Sequence, residues 1–327
     1  MLKLTVTCES WPLAKVFTIS RGSKTSADTV TATITGNGIQ GRGEAVPYAR
    51  YGESIEGVAD IIRALAPDLA AGGMDRAALQ RALPAGAARN ALDCALWDFE
   101  AKTTGRRAWE LAGLTEPGPL TTAFTIGLDS AEAMGRAALA ESHRPLLKIK
   151  LTGEGDLERV AAVRKAAPAS RLIVDANEGW TTDMVEPFAA ALAKLGVEAV
   201  EQPLPADSDE SLSTLAHPIP FYADESCHDR ASLASIIGKY DGVNIKLDKT
   251  GGLTEALALK REAKEAGLKI MVGCMVATSL SMAPATLLAR DADIVDLDGP
   301  LLLARDCDNG LEFAESELSP PCVALWG

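Results

Sequence analysis

The sequence has no Cys-x-x-Cys pair, no excess of basic residues and no Gly-x-Gly-x-x-Gly turn after any of the strands read beyond residue 120. Its six cysteines (Cys8, Cys94, Cys227, Cys274, Cys307 and Cys322) are scattered without a framework spacing, which reads as reduced thiols in a cytoplasmic protein. With 32 Lys and Arg against 45 Asp and Glu the formal charge is −13, so no basic face offers itself to phosphates and a nucleic-acid partner is excluded. The three histidines, His143, His217 and His228, are unclustered and read as solvated or helix-associated. The amino terminus alternates Leu2, Leu4, Val6 and Cys8 with polar residues, a strand pattern and not a signal peptide. Residues Ile270 to Ala289 carry no charge over a span-like length, but they include Gly273, Thr278, Ser279, Ser281, Pro284 and Thr286. That composition fits a buried strand, loop and helix, so no membrane partner is expected.

What is present is a change of texture near residue 120. Before it, strand patterns at Leu2–Cys8, Thr29–Thr35 and Ile39–Ala45, the last two joined at Asn37-Gly38, precede helical patterns at Glu53–Leu69 and Ala87–Lys102. We expect an α+β domain over 1–118. After it, short apolar strands alternate with Ala-rich charged helices. Eight candidates run Ala123–Gly127, Pro145–Lys150, Arg171–Asp175, Glu198–Glu201, Phe221–Asp224, Gly242–Lys246, Lys269–Gly273 and Asp293–Leu297. Eight βα steps predict a parallel TIM-type barrel over 119–327, and the missing glycine-rich turn argues against an open doubly wound sheet.

Charged residues recur at the carboxyl ends of these strands: Lys148 and Lys150, Asp175, Glu201, Asp224, Lys246, and Asp296 with Asp298. From Lys150 to Asp296 the spacings are 25, 26, 23, 22 and 50, the last being two repeats. Strand ends of a barrel converge on one mouth. Burying so many charges together is costly unless they pair or bind a cation. Asp175, Glu201 and Asp224 form an all-oxygen set, which suits Mg2+, with Mn2+ as a substitute, and not zinc. Lys148 and Lys150 leave the same strand face, and their proximity to each other and to a cation predicts lowered pKa values suited to a base. Lys246, several strands away, approaches from the opposite side, as inversion of a carbon by two bases requires.

The runs Lys148-Ile149-Lys150, Val174-Asp175-Ala176-Asn177, Glu201-Gln202-Pro203-Leu204, Ala223-Asp224-Glu225-Ser226 and Asn244-Ile245-Lys246-Leu247 resemble the muconate-lactonizing branch of the enolase superfamily over essentially the whole chain. The resemblance implies a modified (β/α)7β barrel under an α+β cap, with a C-terminal segment returning toward the cap. It also implies magnesium chemistry with lysine bases, a pairing the general account of these enzymes already contains. Asp296-Leu297-Asp298 resembles the element with which dipeptide epimerases hold a substrate ammonium. Ile19–Ser23 and Pro47–Glu53 resemble the capping loops of epimerases acting on alanyl-glutamate, with Arg21 as the expected partner of an acidic side chain and Glu225 as a supporting neighbour of the metal ligands. Lys150 and Lys246 would then exchange base and acid roles, Lys148 would bind the substrate carboxylate, and the substrate would be an acidic dipeptide of cell-wall recycling. Cys274, without a nearby histidine, reads as pocket wall, and the seventh strand lacks the histidine base of sugar-acid dehydratases. The alternatives are a cycloisomerase or o-succinylbenzoate synthase using the same residues and, further off, a non-catalytic metal-binding protein. Homo-oligomerisation stays open.

Overall fold

The computed structural model describes residues 1–327. The alternation read at Leu2–Cys8 is the start of a much longer strand: β1 (Lys3–Ile19) pairs antiparallel with β2 (Gly22–Gly36), which pairs with β3 (Ile39–Ala45). The β1–β2 register slips between Pro12 and Phe17, where proline cannot donate to a ladder. Residues 19–23 are therefore the tip of a long hairpin and not a separate loop. At the β2–β3 turn Asn37 and Gly38 both adopt positive φ, 52° and 78°, as a tight hairpin of the favoured twist requires. Helices Ile55–Ala64 and Ala87–Thr104 lay Val58, Ile62, Leu92 and Leu96 against Val30, Ala32 and Ile34 of this sheet. Ser54 caps the first of them by accepting from the Gly57 N–H.

All eight strands expected after residue 120 are present and share one parallel sheet. They are β5 (Phe124–Ile126), β6 (Leu146–Lys150), β7 (Arg171–Asp175), β8 (Val197–Glu201), β9 (Phe221–Ala223), β10 (Gly242–Ile245), β11 (Lys269–Val272) and β12 (Ile294–Val295), hydrogen-bonded in sequence order. A short strand β4 (Leu120–Thr121) precedes them and pairs with a C-terminal hairpin of β13 (Phe313–Ala314) and β14 (Glu317–Leu318). The sheet curls until its edges meet, where the Ala123 N–H donates to the Val295 carbonyl at 2.8 Å. The eighth strand is shorter than its apolar run predicted, because the chain leaves the ladder after the Asp296 N–H donates to the Val272 carbonyl. The Leu297 N–H goes to Thr122 Oγ1, and the Asp298 carboxylate accepts from the Thr125 N–H. The expected alternation with helices also lapses twice: a 3-10 turn (Glu210–Ser213) joins β8 to β9, and a short 3-10 and α pair joins β9 to β10.

The period of two along each strand decides what faces where. Outward residues such as Leu147, Ile149, Leu172, Val174, Val200, Val243 and Val272 pack under the surrounding helices in the main core. Inward, seven strands contribute one residue each to a buried layer: Ala123, Leu146, Ile173, Ala199, Tyr222, Met271 and Ile294. The eighth position is Gly242, where a Cβ would lie 2.5 Å from the Tyr222 ring, so the tyrosine fills the space. This apolar floor fills one end of the curled sheet. Two residues further along, the inward position is charged on five strands (Lys148, Asp175, Glu201, Asp224 and Asp296) and is Thr125, Asn244 or Gly273 on the other three.

The cap is held on by buried polar contacts. The Asp248 carboxylate accepts from the Val46 N–H and from Asn90 Nδ2, both at 2.9 Å, and Glu44 accepts from the Thr278 N–H and hydroxyl. The chain end returns to the same region, with Trp326 Nε1 donating to the Cys94 carbonyl and the Gly327 N–H to Asp98. No helix is long and apolar enough to cross a membrane.

Candidate active site

The layer above the floor brings together Thr125, Lys148, Lys150, Asp175, Glu201, Asp224, Lys246, Asp296 and Asp298, all of them buried. Every strand-end residue expected to converge does so. Gly273, at the same level, leaves room for the Asn244 amide, whose Oδ1 would lie 2.6 Å from a Cβ there. Asn244 Nδ2 in turn donates to Glu201 Oε1 at 2.7 Å and sets that carboxylate's orientation.

The ammoniums sit between the carboxylates. Lys150 Nζ lies 2.6 Å from Asp175 Oδ2, and Lys246 Nζ lies 2.7 Å from Asp224 Oδ2 and 3.6 Å from Glu201 Oε1. Lys148 Nζ is 2.7 Å from Asp296 Oδ2, 2.6 Å from Glu201 Oε2 and 3.4 Å from Asp175 Oδ2. The contact with Glu201 Oε2 lacks hydrogen-bonding geometry, and that oxygen is buried without a partner. Burial disfavours the Asp175 anion, but Lys150, Lys148 and Lys246 outweigh it and hold its carboxyl down at about 2. Burial likewise opposes the Asp224 anion, and Lys246 and Lys249 carry its pKa well below the ordinary range. The lowered pKa expected for Lys148 is not found. Burial pulls it down, yet Asp296, Glu201 and Asp175 pull it further up, well above an ordinary lysine. Lys246 is raised in the same way, by Asp224 and Glu201 against burial.

The donor set fits a hard divalent cation. Asp175, Glu201 and Asp224 present only oxygen, one Glu201 oxygen has no hydrogen-bond donor and only the Lys148 ammonium beside it, and the oxygens toward the mouth are held by flexible lysine side chains alone. In this arrangement no three His, Cys, Asp or Glu side chains form a ready-made cation cage, because the ammoniums stand between them.

Opposite, Asp296 and Asp298 face each other's charge in a buried corner. Burial and Asp296 push the Asp298 carboxyl up to about 6, and Asp296 Oδ1 is buried with no partner. Two crowded carboxylates with an unsatisfied oxygen favour an incoming cationic donor.

The cap roofs a cavity of about 640 Å3 above these groups. Arg21, at the hairpin tip, is not free. Its guanidinium donates to Glu225 Oε1 at 2.7 Å, to the Asn177 carbonyl at 3.2 Å, to Glu178 Oε2 at 3.3 Å and to the Tyr48 hydroxyl at 3.1 Å. Glu225, expected beside the metal ligands, thus holds Arg21, and burial and Asp224 push its carboxyl up to about 7. Lys24 also lines the cavity, its ammonium 5.6 Å from the Tyr48 ring centroid and in no ion pair. Sequence reasoning stopped one residue short of it, at Ser23.

A second missed feature latches the cap. Arg50 donates to both oxygens of Glu178, at 3.1 and 2.8 Å, and Glu178 sits at φ 66° just after Asn177 at φ 45°, a strained pair for residues other than glycine. Cap closure and the loop that follows Asp175 therefore share one carboxylate. Glu178→Gln, which can still accept from the Ala206 N–H, is expected to raise KM about fivefold, the worth of a ~1 kcal/mol part-exposed ion pair, with kcat within about twofold. Steady-state kinetics check it, and an unchanged KM contradicts it.

A barrel-like sheet with lysines and carboxylates lining its mouth, roofed by an α+β cap, defines a capped-barrel protein built for acid–base chemistry on a small ligand. The chain belongs to the enolase superfamily: residues 1–113 match the mandelate racemase/muconate lactonizing enzyme N-terminal domain and residues 130–321 the enolase C-terminal domain-like family. It is 46% identical to the L-Ala-D/L-Glu epimerase of Escherichia coli K12 over 95% of this chain and 97% of that one. It is also 46% identical to an N-acetyl-D-glutamate racemase of a Pseudoalteromonas species over 91% and 95%. Among solved structures, an enolase family member from Agrobacterium tumefaciens with homology to dipeptide epimerases, holding sodium and L-Ala-L-Glu, superposes with a TM-score of 0.98. It is 50% identical, with complete coverage of both chains. A substrate-liganded L-Ala-D/L-Glu epimerase from Bacillus subtilis superposes at 0.90 with 28% identity over 98% and 96%.

Proposed function

We propose that the protein is a magnesium-dependent dipeptide epimerase that interconverts L-Ala-L-Glu and L-Ala-D-Glu by moving the proton on the carbon next to the terminal carboxylate. The observation that carries this reading is the placement of Lys150 and Lys246. Lys150 ends the second strand and Lys246 directly follows the sixth strand of a curled sheet of eight, four strands apart, which supports an approach from opposite sides of the mouth. One amine removes the α-proton from one face while the opposite ammonium delivers a proton to the other. Lys148 binds the substrate carboxylate and offsets the charge that develops as the proton leaves. Asp175, Glu201 and Asp224 would hold Mg2+, or Mn2+ in its place, which when bound supplies electrostatic stabilisation of that same charge. Lys148, Lys150 and Lys246, which pair with these carboxylates in this structure, would then be free to face the substrate.

Asp296 and Asp298 receive the N-terminal ammonium. The racemase relative marks a competing substrate, N-acetylglutamate. The orphan Asp296 Oδ1 favours the dipeptide, because an ammonium brings three donors where an acetamide brings one and a carbonyl. Lys24 meets the distal carboxylate, Arg21 being already engaged by Glu225 and Glu178. Lys24→Met is expected to lower kcat/KM for L-Ala-L-Glu about tenfold, a loss of ~1.4 kcal/mol, and to leave L-Ala-L-Gln within about twofold. Equal losses on both substrates contradict that role.

The finer architecture belongs to the same reading: a closed (β/α)7β barrel under a cap spanning residues 1–118, supported by the hydrogen bond between the edge strands. Six free cysteines favour a cytoplasmic site of action on cell-wall peptides, and the chain shows nothing suited to nucleic acid. Incubating the protein with L-Ala-L-Glu and Mg2+ and resolving the epimers by chiral chromatography tests the function. L-Ala-D-Glu is expected, whereas a product lacking the mass of water would support a dehydratase instead.

A further inference from the structure

Lys249 takes no part in the chemistry proposed above, yet its side chain is wholly buried against the Asp224 carboxylate. It lies three residues beyond Lys246 in the short helix Leu247–Thr250 and does not line the cavity. All its donors are spent: Nζ lies 2.5 Å from Asp224 Oδ1, 2.5 Å from the Asp224 carbonyl and 3.0 Å from the Asn244 carbonyl. β9 ends at Ala223, so the peptide groups of Asp224 leave the strand ladder and find other partners. Gln202 Oε1 accepts from the Asp224 N–H at 2.8 Å, and the Asp224 carbonyl accepts from the Cys227 N–H at 3.0 Å and from Lys249. With Oδ1 also gripped, Asp224 is fixed at three atoms, and only Oδ2 is left toward the mouth, where Lys246 meets it. The same ammonium ties down Asn244, whose amide orients Glu201.

We infer that Lys249 is the positioning residue for the cation site, a strut behind β9 and β10 that aims the Asp224 and Glu201 carboxylates together. The inference rests on the magnesium reading of those carboxylates and extends it to a residue that touches neither cation nor substrate. A buried ammonium is expensive unless every donor is satisfied by well-placed acceptors, and here the compensation is the fixed geometry of two carboxylates. Lys246 pairs with the outward oxygen and can swing away into the cavity. Lys249 has no open space to swing into.

The test is Mn2+ binding by the chelator-treated full-length protein, read from the EPR signal of free aqueous Mn2+. Lys249→Met is expected to raise the Kd by more than threefold and on the order of tenfold, as loss of a group that orients metal ligands does. Lys249→Gln, which keeps N–H donors for Asp224 and Asn244, is expected to recover part of that loss. A Lys249→Met protein within threefold of wild type overturns the assignment, and so does Lys249→Gln binding no better than Lys249→Met. If Lys249→Met fails to fold, Lys249→Gln is judged against the same threefold limit. Wild-type protein that binds no Mn2+ overturns the magnesium reading itself, a result distinct from loss in the variants alone.

Discussion

Replacing Lys246 with alanine is expected to lower epimerisation by about 10³-fold, within the range that a positioned acid or base contributes. The loss should be lopsided. The variant retains Lys150, so it should still exchange the α-proton of whichever epimer presents that proton to Lys150, while inversion stops for want of a donor on the far face. Lys150→Ala should show the complementary pattern with the other epimer. Proton NMR of each epimer incubated in D2O reads both exchange and inversion. Wild-type turnover in either variant, or loss of exchange from both epimers in both variants, contradicts the two-base assignment.

Chelation is expected to have the second large effect. With the carboxylates paired to lysines, Lys148 and Lys246 are held charged well above the ordinary range, and a charged lysine is not a base. Against burial, Lys150, Lys148 and Lys246 hold Asp175 at about 2, and Lys246 and Lys249 hold Asp224 well down, so these two carboxylates stay anionic and ready for a cation at neutral pH, while burial and Asp175 raise Glu201. EDTA-treated protein should therefore turn over about 10³-fold more slowly or less, and excess Mg2+ should restore it, with Mn2+ as a working substitute. Full activity in the chelated protein, checked by metal analysis, would remove the cation from the account.

The convergence of charges was legible because strand ends in a barrel share one mouth and the repeat phase was regular. The period of two placed Lys148 and Lys150 on one inward face, and the structure keeps them there. What could not be read were properties of surroundings. The raised pKa of Lys148 depends on Asp296 arriving from 148 residues away, and a motif does not reveal which partner an ammonium meets. Arg21 lines the cavity, but its ion pairs with Glu225 and Glu178, 204 and 157 residues away, could not be read from its loop. Lys249 reads in sequence as one more lysine near a helix start. Only the burial of its side chain and its three acceptors separate it from a surface residue. The long β1–β2 hairpin was missed because its outer half is solvent-facing, with residues 7–10 exposed on both faces and no alternation to detect.

The central claim is inversion by two lysines on opposite faces of one carbon. Its most direct measurement is the isotope content of the first product formed from L-Ala-L-Glu in D2O, by mass spectrometry and proton NMR at low conversion. Two opposed lysines predict L-Ala-D-Glu carrying one deuterium, at the glutamate α-carbon, from the earliest turnover, because the proton delivered comes from an ammonium equilibrated with solvent. Product that keeps the original protium at that carbon would mean that one group both removes and returns it, and would contradict the account.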